Sequence, residues 1–421
     1  MNEFKIGWKI VLTSMLGIAF CGSNVLLYSI GALAPALSEE YGWSHGSIQF
    51  ASLISISTVV LSLPVVVQLT ARFGVRAVTL ASMFLSSVFV SLHALLPSDI
   101  KYFYLFAFLT AVSYAGTLPI TWTKMVTSWF DKRLGLALGL TLLGTGLGGA
   151  LVKPIAAALI EGYGWRGAYI GLGIIPLIIV LPLIFAWFKE PASDIEQAGS
   201  KDGAADSGDA ADNSAAAQRQ FLKNWRFWVL AAAYLPIGFA VPGLITNMEL
   251  ILATGGASPE VVVTAASSFG LFVIVGRIVG GVLLDKFNPG IVGGVLILSL
   301  SVALLMLLQQ DLTLSVALVA IALAGFGTGV EFDVLSYLVT RIFGHKQYVK
   351  VFGAVMGILY LSSAFGPMLF GATYDRYGNF DLVLYSTAVG VFVSALLIGS
   401  LAGTLRSPAV SSDGKISSAL P

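Results

Sequence analysis

The side chains that could do chemistry here are few, and they are charged groups set among apolar neighbours. Arg277 follows Val275-Gly276, Glu331 and Asp333 flank Phe332, and Lys153 sits between Val152 and Pro154. A charge at membrane depth costs at least about 2.5–3.5 kcal/mol on insertion scales, so each marks a functional position by default. A guanidinium stays protonated and presents a planar fork of donors to a carboxylate. A carboxyl withdrawn from water can load and release a proton near neutral pH. The chemistry these residues could do is recognition of an organic anion and carriage of a proton. No grouping of nucleophile, base and orienting residue points to an enzyme. His45, His93 and His345 are too scattered to hold a metal by local spacing, and Cys21 is the single cysteine. Neither a metal, a disulfide nor a cofactor is expected.

The elements that must position these charges are membrane spans. Of 421 residues, 57% are hydrophobic and 11% charged, against about 25% charged in soluble domains. The 23 basic and 22 acidic residues nearly cancel, which leaves the lipid bilayer, and no nucleic acid, as the expected surroundings. Crossing the hydrocarbon takes about 20 mostly apolar residues. Twelve runs qualify, at 9–37, 47–70, 76–96, 102–128, 134–160, 167–188, 226–253, 260–284, 290–309, 313–342, 350–373 and 381–404. No period-two alternation indicates a barrel. Lys5 and Lys9 before Ala32-Leu33-Ala34 imitate a signal peptide, but the first run is too long for one and is expected to stay as a span.

Loop charges orient the bundle. Lys5, Lys9, Arg72, Arg76, Lys132, Arg133, Lys189, Lys201, Arg219, Lys223, Arg226, Lys286, Arg341, Lys346, Lys350, Arg406 and Lys415 fall on one side, and Lys101, Arg166 and Arg376 on the other. The positive-inside rule then puts both termini in the cytoplasm of a multi-pass cell inner membrane protein. Residues 189–224, small and polar around Gly199–Asp209, read as a disordered cytoplasmic linker. The expected domains are a six-helix bundle at 1–188, this linker, a second six-helix bundle at 225–405 and a tail at 406–421. Arg72 and Lys286 each follow the second span of their half, a weak internal repeat of the kind alternating-access carriers show.

Several segments resemble the major facilitator superfamily. Its loop signature of Gly, three residues, an acid, a base, one residue and Gly is similar to Gly281-Val-Leu-Leu-Asp285-Lys286-Phe287, with Asn288 in place of the last Gly. The first-half copy keeps Arg72, Gly74 and Arg76 but has Ala71 where the acid belongs. The fold implied is all-α, with two pseudo-symmetric bundles of six spans and Arg72, Arg76, Asp285 and Lys286 as gating-loop residues. Within the superfamily the chain resembles the branch of monocarboxylate porters and oxalate/formate-type antiporters. The segments are Tyr41-Gly-Trp-Ser44, Trp129-Phe-Asp-Lys-Arg133, Tyr163-Gly-Trp-Arg-Gly-Ala-Tyr169 and Gly327-Thr-Gly-Val-Glu-Phe-Asp333. This resemblance implies that Arg277, in span eight, binds a substrate carboxylate. It departs from the branch pattern in lacking a lysine near Val25 and Leu26, an aspartate at Val273 and a lysine between Phe352 and Tyr374. Any proton coupling is then expected in span ten.

Depth sharpens the assignment. Arg277 lies about 12 Å, and Glu331 and Asp333 about 18 and 15 Å, from the expected cytoplasmic ends of their spans at a rise of about 1.5 Å per residue. Asp333 matches Arg277 in depth and is expected to pair with it when substrate is absent; Glu331, two residues away, points elsewhere and is expected to carry the proton. Lys153 is expected to add positive potential to the cavity, Lys124 to snorkel, and Glu249 to be a mouth or interfacial residue. Counting Lys124, Lys153 and Arg277 against Glu331 and Asp333 leaves one positive charge for one carboxylate. Asn24, Tyr28, Tyr114, Trp122, Asn247, Tyr337 and Tyr360 could shape a pocket, though each is as easily packing. Gly144-Thr-Gly146-Leu-Gly148-Gly149 matches a dinucleotide fingerprint only formally, because it lies inside a span. Gly144 with Gly148, Gly276 with Gly280 and Gly325 with Gly329 are spaced instead for close helix approach. Pro64, Pro119, Pro154, Pro236, Pro242 and Pro367 are expected to bend their spans.

The expected function is secondary transport of a monocarboxylate or aromatic acid, as proton symport by a monomer. An organic anion exchanger without proton coupling is the alternative, and a receptor is disfavoured for want of a signalling domain.

Overall fold

The computed structural model describes residues 2–130, 133–189 and 220–404. Residues 190–219 of the expected linker and the expected tail at 406–421 lie outside them. In lipid every backbone polar group must be satisfied within the segment, and helices do this. Among the described residues, eleven helical stretches are long and apolar enough to cross a membrane. One of them, Leu134–Trp187, holds 54 residues and turns at Gly164 (φ 69°, ψ 177°), a left-handed geometry that favours glycine. It therefore carries two crossings, and the total is twelve. In order the spans are Gly7–Tyr41, His45–Phe73, Val75–Leu95, Ile100–Thr127, the two halves of Leu134–Trp187, Trp225–Thr254, Pro259–Lys286, Pro289–Met306, Leu314–Gly344, Lys350–Tyr377 and Asp381–Gly403.

Polar residues start the helices where the spans leave the apolar layer. Ser44, Asp99, Asn224, Ser258 and Asn288 each accept a backbone N–H of the first turn, a group with no intrahelical partner. Gly42 and Gly378 end helices in the left-handed conformation.

Two spans expected to be continuous are broken. Span one consists of Asn2–Ala19 and Gly22–Tyr41. The Asn24 amide donates to the Ile18 carbonyl at 2.7 Å, covering an acceptor that the break exposes. Span four consists of Ile100–Tyr114, a 3₁₀ turn at Ala115–Thr117 and Pro119–Thr127. There the Trp122 indole donates to the Thr117 carbonyl at 2.8 Å. Pro119 explains this second break, since its ring cannot follow a helical turn without losing a hydrogen bond.

The glycine pairs hold helices against helices. A Cβ on Gly144 or Gly148 would meet the Met15 or Ala19 carbonyl, so span five lies on span one. A Cβ on Gly276 would meet Phe326, on Gly280 Val330, on Gly325 the Phe269 carbonyl and on Gly329 that of Val273, so span eight lies on span ten.

Between the bundles, span two meets span eleven where Gly46 lies on Ala372, and span one meets span seven where Gly31 lies on Thr246 and Glu249. Span five meets span eight through Gly146, Gly149 and Gly270. The first two contacts lie at the end opposite the one that carries the described termini. Leu61 and Val65 of span two and Leu361 and Phe365 near the middle of span eleven are exposed, and toward the termini end Gly135, Gly139, Gly353 and Gly357 face open space. Among the described residues, the glycine contacts between the bundles join them near mid-span and at the end opposite the termini.

Candidate functional site

Arg277 stands where span eight of the second bundle touches span five of the first. Its side chain is 11% exposed, and its Nε lies 3.8 Å from Asp333 Oδ2. The same Nε donates to the Gly329 carbonyl at 3.3 Å, and Nη1 donates to the Leu142 carbonyl at 2.7 Å and to Thr145 Oγ1 at 3.3 Å. Leu142 and Thr145 belong to span five, so this guanidinium of the second bundle is held partly by backbone of the first. The close approach depends on Gly329, where any Cβ would run into the backbone of Val273 and Arg277.

Glu331 lies beside this pair, 4% exposed, with Oε2 buried and lacking a hydrogen-bond partner. Its backbone carbonyl accepts from the Tyr234 hydroxyl at 2.8 Å. Tyr28 donates to the Thr145 carbonyl at 3.4 Å, and its ring packs on Gly149. Tyr360, in span eleven, is 41% exposed. The structure thus brings Arg277 and Asp333 together, rests Arg277 and Tyr28 on the same turn of span five, and sets Tyr234 against Glu331, with Tyr234 the member that sequence reasoning missed. Hydropathy cannot separate a tyrosine aimed at a neighbouring span from one in an aromatic belt.

The other pocket candidates lie elsewhere. Asn24 bridges the break in span one. Tyr114 is buried against Gly22 inside the first bundle, and Trp122 is buried on Gly17. Asn247, 2% exposed, donates to the Gly243 carbonyl at 2.9 Å and to Thr246 Oγ1 at 3.2 Å, and lies 3.5 Å from Gln49 Nε2 of span two. Tyr337 donates a short hydrogen bond to Asp285 near the termini end, which joins it to the loop signature instead of the pocket. Arg76 donates to the Phe185 carbonyl at 2.6 Å, Arg72 stacks on Phe73, and Lys286 is exposed. Lys124 is exposed as well, so the count of three buried bases falls to two.

Lys153 departs most from expectation. Its side chain is 2% exposed and its Nζ lies 2.5 Å from Glu249 Oε1 and 3.3 Å from the Ile245 carbonyl, both on span seven. Glu249, far from being a free mouth residue, neutralises it. Nothing in the sequence links two residues in different bundles, and Glu249 at a helix end looks interfacial by hydropathy.

What this arrangement can do is bind and release. The mid-membrane cation has an imperfect internal partner at 3.8 Å, partly exposed, which a carboxylate of better geometry could replace. Among the described residues no His, Cys, Asp and Glu cluster could hold a metal ion.

Comparison with known proteins agrees with this architecture. The family model described as Major Facilitator Superfamily matches residues 14–367 and 256–418. The gallate transporter of Pseudomonas putida is 24% identical over 86% of this chain and 88% of its own length. The gentisate transporter of Corynebacterium glutamicum is 24% identical over 94% and 86%. Monocarboxylate transporter 9 of Rattus norvegicus is 30% identical over 41% of this chain and 34% of its own length. A bacterial homologue of the human lysosomal transporter Spinster, solved in an inward-facing and occupied conformation, superposes with a TM-score of 0.70 at 17% identity over 97% of this chain and 100% of its own. With twelve crossings, two bundles and a family match across most of its length, the chain is a multi-pass membrane transporter, not an enzyme, and belongs to the Major Facilitator Superfamily.

Proposed function

We propose that this carrier moves a small organic carboxylate, a monocarboxylate or an aromatic acid, together with a proton by alternating access. The single observation that supports it most is Arg277, nearly buried and 3.8 Å from Asp333, beside a buried Glu331 with an unpartnered oxygen. The substrate carboxylate takes the place of Asp333 on the guanidinium, while Glu331 holds the proton. One negative cargo and one proton then cross together without net charge. Tyr28 and Tyr360 line the same region and suit an aromatic or hydroxylated acid, in keeping with the gallate and gentisate carriers among the relatives. Lys153 is paired with Glu249 here and becomes available to an anion when the opposite end opens. Asn24, Tyr114, Asn247 and Tyr337 act indirectly in this reading, by shaping the helices around the pocket.

The protein acts as a monomer in the cell inner membrane with both termini cytoplasmic, following the lysine and arginine asymmetry of its loops. Arg72, Arg76, Asp285 and Lys286 meet across the bundles when the termini end closes. Residues 189–224 tether the two bundles.

Uptake of labelled gallate, gentisate and lactate into proteoliposomes, with and without an inward proton gradient, tests the proposal. The expected result is gradient-driven uptake in the wild type, and in Glu331→Gln loss of that drive with substrate exchange retained. Uptake indifferent to the gradient, with exchange intact in both proteins, would instead favour an anion exchanger.

A further inference from the structure

The end opposite the termini is held shut by two carboxylates that bond across the bundle boundary. Asp375, near the end of span eleven, accepts the backbone N–H of His45 at 2.9 Å on Oδ1 and that of Gly46 at 2.7 Å on Oδ2. These are the first two residues of the helix His45–Phe73, whose opening N–H groups have no intrahelical partner and carry the positive end of the helix dipole. The helix's own cap, Ser44, already accepts from Ser47 and leaves these two groups to the other bundle. The approach is close enough that a Cβ on Gly46 would lie 2.9 Å from Asp375 Oδ2 and 3.0 Å from the Ala372 nitrogen, and one on Gly371 would lie 2.9 Å from Gly46. His45 completes the contact, its Nδ1 3.9 Å from Asp375 and its ring set edge-on to Tyr374 at 5.1 Å.

Glu249 does the same on span seven. Its polar partner is Lys153 of the first bundle at 2.5 Å, and Gly31 of span one leaves no room for a side chain beside Glu249 Oε2. Every polar partner of either carboxylate lies in the opposite bundle. Neither residue therefore stabilises its own bundle by pairing, and both contacts must part if this end is to open.

We propose that Glu249 and Asp375 are the latches of that end, and that their strength sets how much of the carrier population is open there. Charge-assisted bonds of this kind are roughly twice as strong as neutral ones, and breaking both exposes Lys153 and the helix start to water, where each is again satisfied. The inference rests on the alternating-access part of the proposed function and not on the identity of the cargo.

The test is a distance measurement on the full chain in lipid nanodiscs without substrate, with spin labels at Glu39→Cys and Glu260→Cys, both exposed at the opposite end and in different bundles; Cys21 is buried and stays in place. The expected result is one short distance in the parent and, in Glu249→Gln/Asp375→Asn, a longer distance holding more than half the population. Asp375→Asn alone, at a partly exposed position, moves a smaller fraction. Lys153→Glu/Glu249→Lys, which keeps the pair with its charges reversed, returns the parent distance. A double variant that melts earlier but keeps the parent distance overturns the proposal, as does an unshifted Asp375→Asn if the double variant does not fold. Either failure leaves carboxylate binding at Arg277 standing.

Discussion

Of the ion pairs at the boundary between the bundles, the two built on lysine and arginine differ. Lys153 and Glu249 are 2.5 Å apart with side chains 2% and 15% exposed, whereas Arg277 and Asp333 are 3.8 Å apart at 11% and 29%. The tight pair spans the bundles and has little water near it. The loose pair lies within the second bundle, and its cation borrows carbonyl and hydroxyl acceptors from the first. A contact proposed to keep one end shut until it opens is short and nearly buried, whereas the contact proposed to exchange its acid for a substrate carboxylate is longer and more exposed.

The sharpest way to break this contrast is to remove the cation of the loose pair. Arg277→Ala is expected to lower uptake by about 100-fold, the equivalent of a lost charge-assisted hydrogen-bond set, while the protein still assembles. Arg277→Lys keeps the charge without the fork and is expected to cost about tenfold. Initial rates of labelled acid uptake measure both.

Stability discriminates next. Breaking a buried pair from one side costs about 3–5 kcal/mol because the other charge is stranded. Glu249→Leu is therefore expected to lower the thermal midpoint in detergent clearly, and Lys153→Met/Glu249→Leu to recover most of the loss. Equal melting of the single and double variants would mean that the pair is not coupled.

The smallest effect belongs to the loose pair's acid. Asp333→Asn is expected to change stability by under about 1 kcal/mol, as partly exposed pairs do, and to alter the KM for the acid by a few-fold. A melting shift as large as that of Glu249→Leu would erase the distinction.

How much of this was written in the sequence varies with distance along the chain. Spans, their order and the depth of Arg277 follow from local hydropathy, and the Arg277–Asp333 approach follows from matching depths on neighbouring spans. Pro119 announces the break in span four, whereas the break at Phe20-Cys21 is marked only by the short polar stretch Gly22-Ser23-Asn24 inside a long apolar run. Lys153 with Glu249, and Asp375 with the start of span two, are partners that only the packing of two bundles brings together. Asp375 lies near a helix end where a charge raises no alarm, and its role depends on backbone N–H groups, which have no sequence signature. Tyr337 pointed to the pocket by depth alone, and the structure gives it to Asp285.

The place where spans five and eight touch has a mechanical meaning. A Cβ on Gly270 would collide with backbone of Gly146, Gly149 and Ala150, and one on Gly149 would lie 3.2 Å from Gly270 Cα. Backbone therefore rests directly on backbone there, between the Ile274 side chain on Gly146 and the Arg277 bonds to Leu142 and Thr145. In the alternating-access cycle proposed above, such a close contact would serve as a bearing about which the halves roll, and even one added methyl group would act as grit.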